Sequence, residues 1–404
     1  MRNSLAVVSL SVVLALGLIL SACNSSHGSH STGTAPAPGI PVTSPAPISA
    51  PTAPTKSGAP SCAAPTAWAF VTNGGTGDIA TYAVSDGQLS QAPTSATVTQ
   101  AGSSPRWIAL NKGFAYVANM GFNDVSTYTV SQGTLSAAPV STTAAISGTS
   151  PNKIIVNSAG TMAYVGNLAG GDVSVYSIQN GVLGTDPVST TTPVSGYDVA
   201  GIILGPSEQH LYVVYFISSG SSGDGYVASY TVSEGVPAMT PFSTTAIIPN
   251  TNPMGIAMSV SGQYLYVVNT GTGNISTYGI TQGVLSKQPL TMTTAVNGSN
   301  PFIDAVDPSG DYLYVANQGA DTIASYQITN GIPAPTPLSA TQPVAGSAPF
   351  CVVVGACGRF VYVTNEKGGA VVSYAITKGV LSATPLRTTT VGVGSRPVWL
   401  ALAP

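Results

Sequence analysis

Short runs in which apolar and polar residues alternate recur along the chain from about residue 67 to its end. Each run is rich in Val, Ile, Thr and Tyr and is bounded by Gly, Asn and Ser, as in LYVVN and ISTYGI. A period of two residues with these residue types predicts short β-strands.

The strands belong to a unit that is repeated seven times. The residue that closes each YVxN-like run recurs every 46 to 54 residues, and a Tyr and a Gly follow it in step. A repeat of this length is typical of the blades of a β-propeller. The closing residues are Asn73, Asn119, Asn167, Tyr215, Asn269, Asn317 and Asn365.

Each unit predicts one four-stranded blade. Strand a follows a Pro in most units, strand b carries YVxN, strand c carries the Tyr, and strand d begins after the repeated Gly. This Gly predicts a tight c-to-d turn with positive φ, which a side chain would resist. The fourth unit is longer than the others, and we place its additional residues in the b-to-c loop, within FISSGSSGDG.

The two ends of the repeat array complement each other. The C-terminal SRPVWLALAP matches SSPRWIAL at residues 103–110, so it is a strand a without a following strand b, whereas the first unit begins at strand b. We expect the C-terminal strand to complete the first blade and close the ring, which removes exposed sheet edges. The predicted fold is all-β, a seven-bladed β-propeller of four-stranded blades over residues 63–404.

The strand-b motifs AFVTN, AYVAN, AYVGN, LYVVN, LYVAN and VYVTN resemble those of the YVTN-type, lactonase-like seven-bladed β-propellers. The resemblance covers roughly residues 67–404 and implies the propeller fold. That family includes 6-phosphogluconolactonase-like enzymes, muconate-cyclising relatives and many surface proteins without a known reaction. The resemblance therefore implies lactone hydrolysis as one alternative.

The N-terminal residues 1–22 have the pattern of a secretory signal, with Arg2, an apolar run over residues 5–20, and Leu-Ser-Ala before Cys23. The four residues from Leu20 to Cys23 resemble a bacterial lipobox, which predicts that Cys23 is lipidated and becomes the mature N-terminus. Several acyl chains give stable membrane anchoring. We expect an exported lipoprotein of the bacterial cell envelope, on the outer membrane or the cell surface.

Residues 23–62 are predicted to be a lipidated Ser/Thr/Pro/Gly-rich tether, because they hold almost no large apolar side chain that could form a core. In the whole chain 6% of residues are charged, the net charge is −3, and the 11 Lys and Arg residues form no basic stripe. This composition argues against a nucleic-acid partner. The partners that remain are the membrane, through the anchor, and a glycan, a small anion or a surface protein.

Three cysteines follow Cys23, and export permits a disulfide between two of them. Cys351 and Cys357 lie along one strand and the loop after it, about 20 Å apart, which is too far for a bond. Cys62 and Cys357 lie on the same face of neighbouring blades. We therefore predict a Cys62–Cys357 disulfide, and the alternative is that all three thiols are free.

Few residues can carry chemistry. His210 is the sole histidine of the repeats and lies at the end opposite to the b-to-c loops, so the sequence predicts no Ser-His-Asp triad, metal site or cofactor. When strands a are aligned on their Pro, Arg396, Arg106 and Lys153 fall at one rim in consecutive blades. They predict a basic arc that binds a ligand, and a solvated surface is the alternative.

Asp304 occupies a position in strand a where the other blades have Ile, Val or Leu. A carboxylate there is costly unless it is paired or protonated, so Asp304 is a candidate catalytic residue, and a solvated rim acid is the alternative. Asp198 is a second acidic candidate, at the rim of blade four. Trp107 and Trp399, at matching positions in adjacent blades, predict either a stacking surface for a sugar or packing between blades.

These residues leave two main hypotheses for function. The first is a membrane-anchored module that binds a ligand or a partner at the surface, which fits the export signal, the tether and the scarcity of catalytic groups. The alternative is a lactonase, in which Arg106, Arg396 or Lys153 polarises the lactone or holds an acid group and Asp304 or Asp198 acts as base. A structural or adhesin-like role is a third possibility. A 6-phosphogluconolactonase role fits export poorly, because that phosphorylated substrate belongs to the cytoplasm.

Overall fold

A computed structural model describes residues 67–99, 102–144, 149–217, 223–296, 298–342, 346–392 and 394–403. The signal sequence, Cys23, the tether and Cys62 lie outside these residues. Within the described ranges the regular structure consists of β-strands. No helix in them is long and apolar enough to cross a membrane.

Seven antiparallel sheets form the blades, which we number from the one that contains Ala67–Asn73. Strands a are Pro397–Ala403, Pro105–Asn111, Pro151–Val156, Asp198–Leu204, Pro253–Met258, Pro301–Val306 and Pro349–Val354 for blades one to seven. Strands b are Ala67–Asn73, Phe114–Asn119, Met162–Asn167, His210–Phe216, Tyr264–Asn269, Tyr312–Asn317 and Phe360–Asn365. Strands c are Asp78–Ser85, Asp124–Ser131, Asp172–Gln179, Gly225–Ser233, Asn274–Thr281, Thr322–Thr329 and Ala370–Thr377.

Strand d is divided into two short segments, and both pair with strand c of the same blade. The first segments are Gln88–Leu89, Thr134–Leu135, Val182–Leu183, Val236–Pro237, Val284–Leu285, Ile332–Pro333 and Val380–Leu381. The second segments are Ser95–Val98, Ser141–Thr142, Ser189–Thr190, Ser243–Thr244, Thr291–Thr294, Ser339–Thr341 and Arg387–Thr390. The seven-bladed propeller predicted from the repeats is thus confirmed.

The C-terminal strand closes the ring as predicted. Pro397–Ala403 pairs with Ala67–Asn73, so that Trp68 lies opposite Ala403 and Asn73 opposite Pro397. The first blade therefore combines the two ends of the repeat array. Its strand a packs against the strands a of both neighbouring blades, so the ring is continuous around the axis.

The hydrophobic core lies between the blades. Seven clusters of buried apolar side chains each join two neighbouring blades around the ring. Between blades one and two, for example, Phe70 and Ile79 pack against Val117 and Tyr128. Because both faces of a blade are covered, the strands b have nearly continuous runs of buried residues.

The repeated Gly of each c-to-d turn has a positive φ, as predicted, and a second constraint acts at the same position. A side chain from near the start of strand b of the preceding blade lies against each Gly, and an added Cβ would stand 1.9 to 2.7 Å from it. These contacts connect all seven blades. The pairs are Trp68–Gly133, Phe114–Gly181, Met162–Gly235, His210–Gly283, Tyr264–Gly331, Tyr312–Gly379 and Phe360–Gly87.

The Asn of the YVxN motif stabilises the b-to-c turn. Asn119 donates hydrogen bonds from Nδ2 to Asp124 and Ser126, and Asn167 and Asn269 make the corresponding bonds in their own blades. These turns and the d-to-a loops share one side of the ring, which we call the loop face.

Candidate functional site at the propeller axis

Each strand a contains a β-bulge near its start, next to the loop face. In blade six Pro301 pairs with Asn317 and Ile303 with Ala316, so that Phe302 has no partner in the ladder. The same irregularity occurs in the other six blades. Bulges change the direction of side chains and are frequent beside functional sites. The residues that directly follow the bulge in six strands a line one cavity: Trp399, Trp107, Lys153, Gly201, Gly255 and Ile303.

Lys153 is buried in this cavity against aromatic rings. Its Nζ lies 3.6 Å from the centre of the Trp107 ring and 5.7 Å from that of Trp399, while the two rings stack with centroids 3.1 Å apart. The pKa of the amine is lowered from 10.5 to about 7, chiefly by burial; Cys351 and Asp304 act to raise it and the charge of Arg106 acts to lower it. Contact with the indole faces offsets part of the cost of burying the cation.

Asp304 enters the same cavity from blade six and is 6% exposed. Neither of its carboxylate oxygens has a hydrogen-bond partner in another residue. Burial raises the pKa of this group well above its usual value, while the backbone N–H of Asp304 itself and the charge of Lys153 lower it. Gly255 of blade five makes room for the carboxylate, because a Cβ at Gly255 would stand 2.8 Å from Oδ1. This burial does not fit the alternative of a solvated rim acid, and the catalytic role of Asp304 stays a prediction.

The cavity has a volume of about 60 Å³, which is room for about two water molecules. Ile155, Ile202 and Ile256 form much of its apolar wall. A sugar lactone is larger than this space. The cavity therefore offers a base, a cation and room for water beneath a ligand that lies at the channel mouth.

The channel mouth on the loop face carries two arginines and one carboxylate. Arg396 forms an ion pair with Glu366, and the side chain of Arg396 is 62% exposed while that of Glu366 is 11% exposed. Arg106 lies 6.0 Å from the Phe350 ring centre, and its Nε is buried without a hydrogen-bond partner. Burial lowers the pKa of Arg106, Glu366 raises it and Arg396 lowers it.

The three cations of the predicted basic arc differ in burial, and their role in binding a ligand stays a prediction. At the channel mouth the side chain of Arg396 is exposed and the Nε of Arg106 is buried, whereas Lys153 is buried inside the cavity. The three cations therefore lie at different depths. The bulge accounts for this difference, because Arg396, Arg106 and Lys153 lie before, at and after the bulge of their own strands. Arg106 and Lys153 remain together as neighbours around the channel.

The other candidates have different outcomes. Asp198 begins strand a of blade four and does not line the cavity. Trp107 and Trp399 stack on each other as adjacent blades pack, and both also line the cavity, so the two alternatives for them are compatible. Sequence reasoning missed Glu366 and Gly255. Glu366 could have been found as an acidic residue directly after a YVxN motif, whereas the role of Gly255 depends on the neighbouring blade.

The cysteines are consistent with the predicted disulfide. Cys357 is disulfide-bonded, and Cys351 is buried and free. Cys62 lies outside the described residues, so the Cys62–Cys357 pairing stays a prediction. In the described part of the chain, no three His, Cys, Asp or Glu side chains form a group that could hold a metal ion.

Comparison with known proteins places the fold. A putative 6-phosphogluconolactonase from Bacteroides fragilis is similar in structure, with a TM-score of 0.70, 16% identity, and coverage of 85% of this chain and 100% of that chain. A periplasmic gluconolactonase from Pseudomonas aeruginosa has a TM-score of 0.69 and 18% identity, covering 84% of this chain and 99% of its own. A protein from Lactobacillus plantarum has a TM-score of 0.68 and 19% identity, with the same coverage.

No curated protein matches the sequence. A family model matches residues 62–192 and 189–392, which together include nearly the whole ring, and its description is a lactonase with a seven-bladed β-propeller. The fold and this match agree, and the chain belongs to the lactonase family of seven-bladed β-propellers.

Proposed function

We propose that the protein is a lactone-ring hydrolase whose site is the channel mouth on the loop face. The observation that carries the proposal is that Lys153 and Asp304, from blades three and six, share one buried cavity. Family membership supports this reaction class over the binding of a partner. The arrangement of the site supports it too, because a lactonase needs a base, a source of positive charge and a position for water in one place.

In the proposed reaction a water molecule in the cavity attacks the lactone carbonyl carbon. Asp304 takes a proton from this water, the new C–O bond forms, and the carbonyl oxygen gains negative charge. The acyl C–O bond of the ring then breaks, and the proton passes from Asp304 to the ring oxygen that leaves. The product is a hydroxy acid, and a carboxylate whose pKa is raised is well suited to accept a proton near neutral pH.

The charges at the mouth have distinct roles in this proposal. Arg106, whose Nε has no partner in the protein, donates to the developing oxyanion. Lys153 lines the same cavity as Asp304 and helps to position the attacking water. Trp107 and Trp399 form the apolar floor on which the face of a sugar ring rests.

The proposal includes export and lipidation at Cys23. An exported enzyme meets lactones that carry no phosphate, so we propose an aldonolactone or a simple acyl lactone as substrate. Metabolic labelling with a radioactive fatty acid tests the anchor: label should appear on the wild-type protein and be absent from Cys23→Ser. Label on both proteins, or on neither, would contradict lipidation at Cys23.

The test of activity is a pH-stat assay of the full chain with a panel of aldonolactones and acyl lactones. Wild type should hydrolyse at least one of them, and Arg106→Ala should lower kcat/KM by about 100-fold, as expected for loss of an oxyanion donor. Arg359→Ala, an exposed arginine at the opposite end of blade seven, is the matched control and should leave kcat/KM unchanged. If no lactone is hydrolysed faster than in water, the enzyme proposal fails and the surface binding module becomes the better account.

A further inference from the structure

The amine of Lys153 has an unusual set of neighbours for a lysine. One indole ring lies 3.6 Å from Nζ, the cavity wall is largely apolar, and no carboxylate lies within ion-pair distance of Nζ among the described residues. Burial of this kind favours the uncharged amine, and an uncharged lysine amine is a nucleophile.

The cavity beside the amine limits which electrophile can reach it. Its volume of about 60 Å³ is the space of about two waters, so it accommodates only a very small molecule. A lactone ring or a sugar aldehyde is too large. Carbon dioxide is small, linear and uncharged, so the apolar wall admits it more readily than bicarbonate.

We propose that Lys153 binds carbon dioxide covalently and forms a carbamate in the axial cavity. The Nζ lone pair forms a bond to the carbon of CO2, and one π bond of CO2 breaks so that its electron pair moves to oxygen. The nitrogen then loses one proton, which Asp304 accepts. One negative charge is thereby transferred from the Asp304 carboxylate to the carbamate, and no oxidant or other reactant is needed.

Two neighbours favour the modified form. Neither oxygen of Asp304 has a hydrogen-bond partner in another residue, so a protonated Asp304 gains one when it donates to a carbamate oxygen. Arg106 acts electrostatically on Lys153 and disfavours the ammonium there, and the same positive charge stabilises an anion at this position.

The inference goes beyond lactone hydrolysis and does not depend on it, since the carbamate forms from CO2 without any lactone and is detected without turnover. In the modified protein the carbamate oxygen becomes the anionic base of the cavity and Asp304 is protonated. Carbon dioxide would then control which group accepts a proton at the axis.

The experiment is 13C NMR of the full chain with 13C-labelled bicarbonate, in equilibrium with CO2, at pH 8. Wild type should give one carbamate resonance that is absent from Lys153→Met. The exposed Lys112, which donates to the Ala159 carbonyl, supplies the control Lys112→Met, which should keep the resonance. Asp304→Asn should lower its intensity at least threefold.

A chemical trapping experiment on the wild-type protein tests the proposal without depending on whether the variants fold. Triethyloxonium ethylates carbamates, and peptide mapping of the treated wild-type protein should place the adduct on Lys153. No adduct, or an adduct only on exposed lysines such as Lys112 and Lys287, would overturn the proposal. A parallel sample is treated with borohydride in place of triethyloxonium. An adduct on Lys153 in this sample alone would also overturn the proposal, because it would indicate a Schiff base with an aldehyde.

Discussion

The Nζ atom of Lys153 lies 3.6 Å from the centre of the Trp107 ring. This contact joins blades two and three at the axis, and it holds a titratable amine in a cavity that Asp304 also lines. The chain has few charged residues, so the burial of two of them in one place is the feature that most distinguishes the axis from the rest of the ring.

The first prediction concerns stability against pH. Burial lowers the pKa of Lys153 from 10.5 to about 7, so between these values the unfolded chain binds a proton that the folded chain does not. The free energy of unfolding contributed by Lys153 therefore rises with pH over this range, by about 1.4 kcal/mol for each pKa unit. The raised pKa of Asp304 acts with the opposite sign, because stability from its protonated form is lost as pH rises through that pKa.

Urea unfolding of wild type and Lys153→Met from pH 7 to pH 9.5 measures this effect. The wild type should gain several kcal/mol relative to the variant over the range, and Lys112→Met should follow the wild type. Parallel curves for wild type and Lys153→Met would show that the amine is not desolvated as described.

The second prediction concerns the contacts between blades. Gly331→Ala should destabilise the fold by several kcal/mol, because φ is 78° and the new Cβ would stand 2.1 Å from the Tyr264 ring. Gly298→Ala is the matched control, with φ of 69° and no atom within 4 Å of the added Cβ. It should cost about 1–2 kcal/mol, from backbone strain alone. Equal losses in chemical denaturation would mean that the contact with Tyr264 adds nothing.

The third prediction concerns Glu366. This carboxylate pairs with Arg396 and offsets the charge of Arg106, so Glu366→Gln should leave both guanidinium groups available to an anion. Calorimetric titration with D-gluconate, a sugar-acid anion, should show binding several-fold tighter than in wild type, and salt should weaken it. Glu234→Gln, at an exposed c-to-d turn, should leave the affinity unchanged. Unchanged affinity in Glu366→Gln would remove Arg396 from the site.

The fourth prediction concerns the disulfide of Cys357. Peptide mapping without reduction should find Cys357 joined to Cys62, and Cys351 should be alkylated only after unfolding because it is buried and free. Cys62→Ser should lower the free energy of unfolding by about 2–5 kcal/mol. A bond between Cys357 and Cys351 would contradict both the assignment and the geometry of strand a.

The sequence predicted the fold well because the propeller is repetitive. Each blade repeats the same strand, Tyr and turn-Gly signals, so agreement among seven copies compensates for the weakness of any one of them. The closure by residues 397–403 was also predictable, because this segment matches a strand a with no strand b after it.

The site was less predictable, because it depends on differences between blades. Asp304 was visible as a departure from an apolar position, but the bulge in strand a separated Lys153 from Arg396 in a way that alignment on the Pro could not reveal. The role of Gly255 follows from a neighbour 49 positions later in the chain, Asp304, and only the ring brings the two together.

The central claim, that Lys153 and Asp304 form the reactive centre of a lactonase, is tested most directly by single-turnover hydrolysis in two variants. Asp304→Asn keeps the shape of the side chain and removes the base, whereas Asp186→Asn makes the same change at an exposed loop of blade three. The account predicts that Asp304→Asn slows ring opening by about 100-fold or more while Asp186→Asn reacts like wild type. Equal rates in all three proteins would contradict the assignment of the axial cavity as the active site.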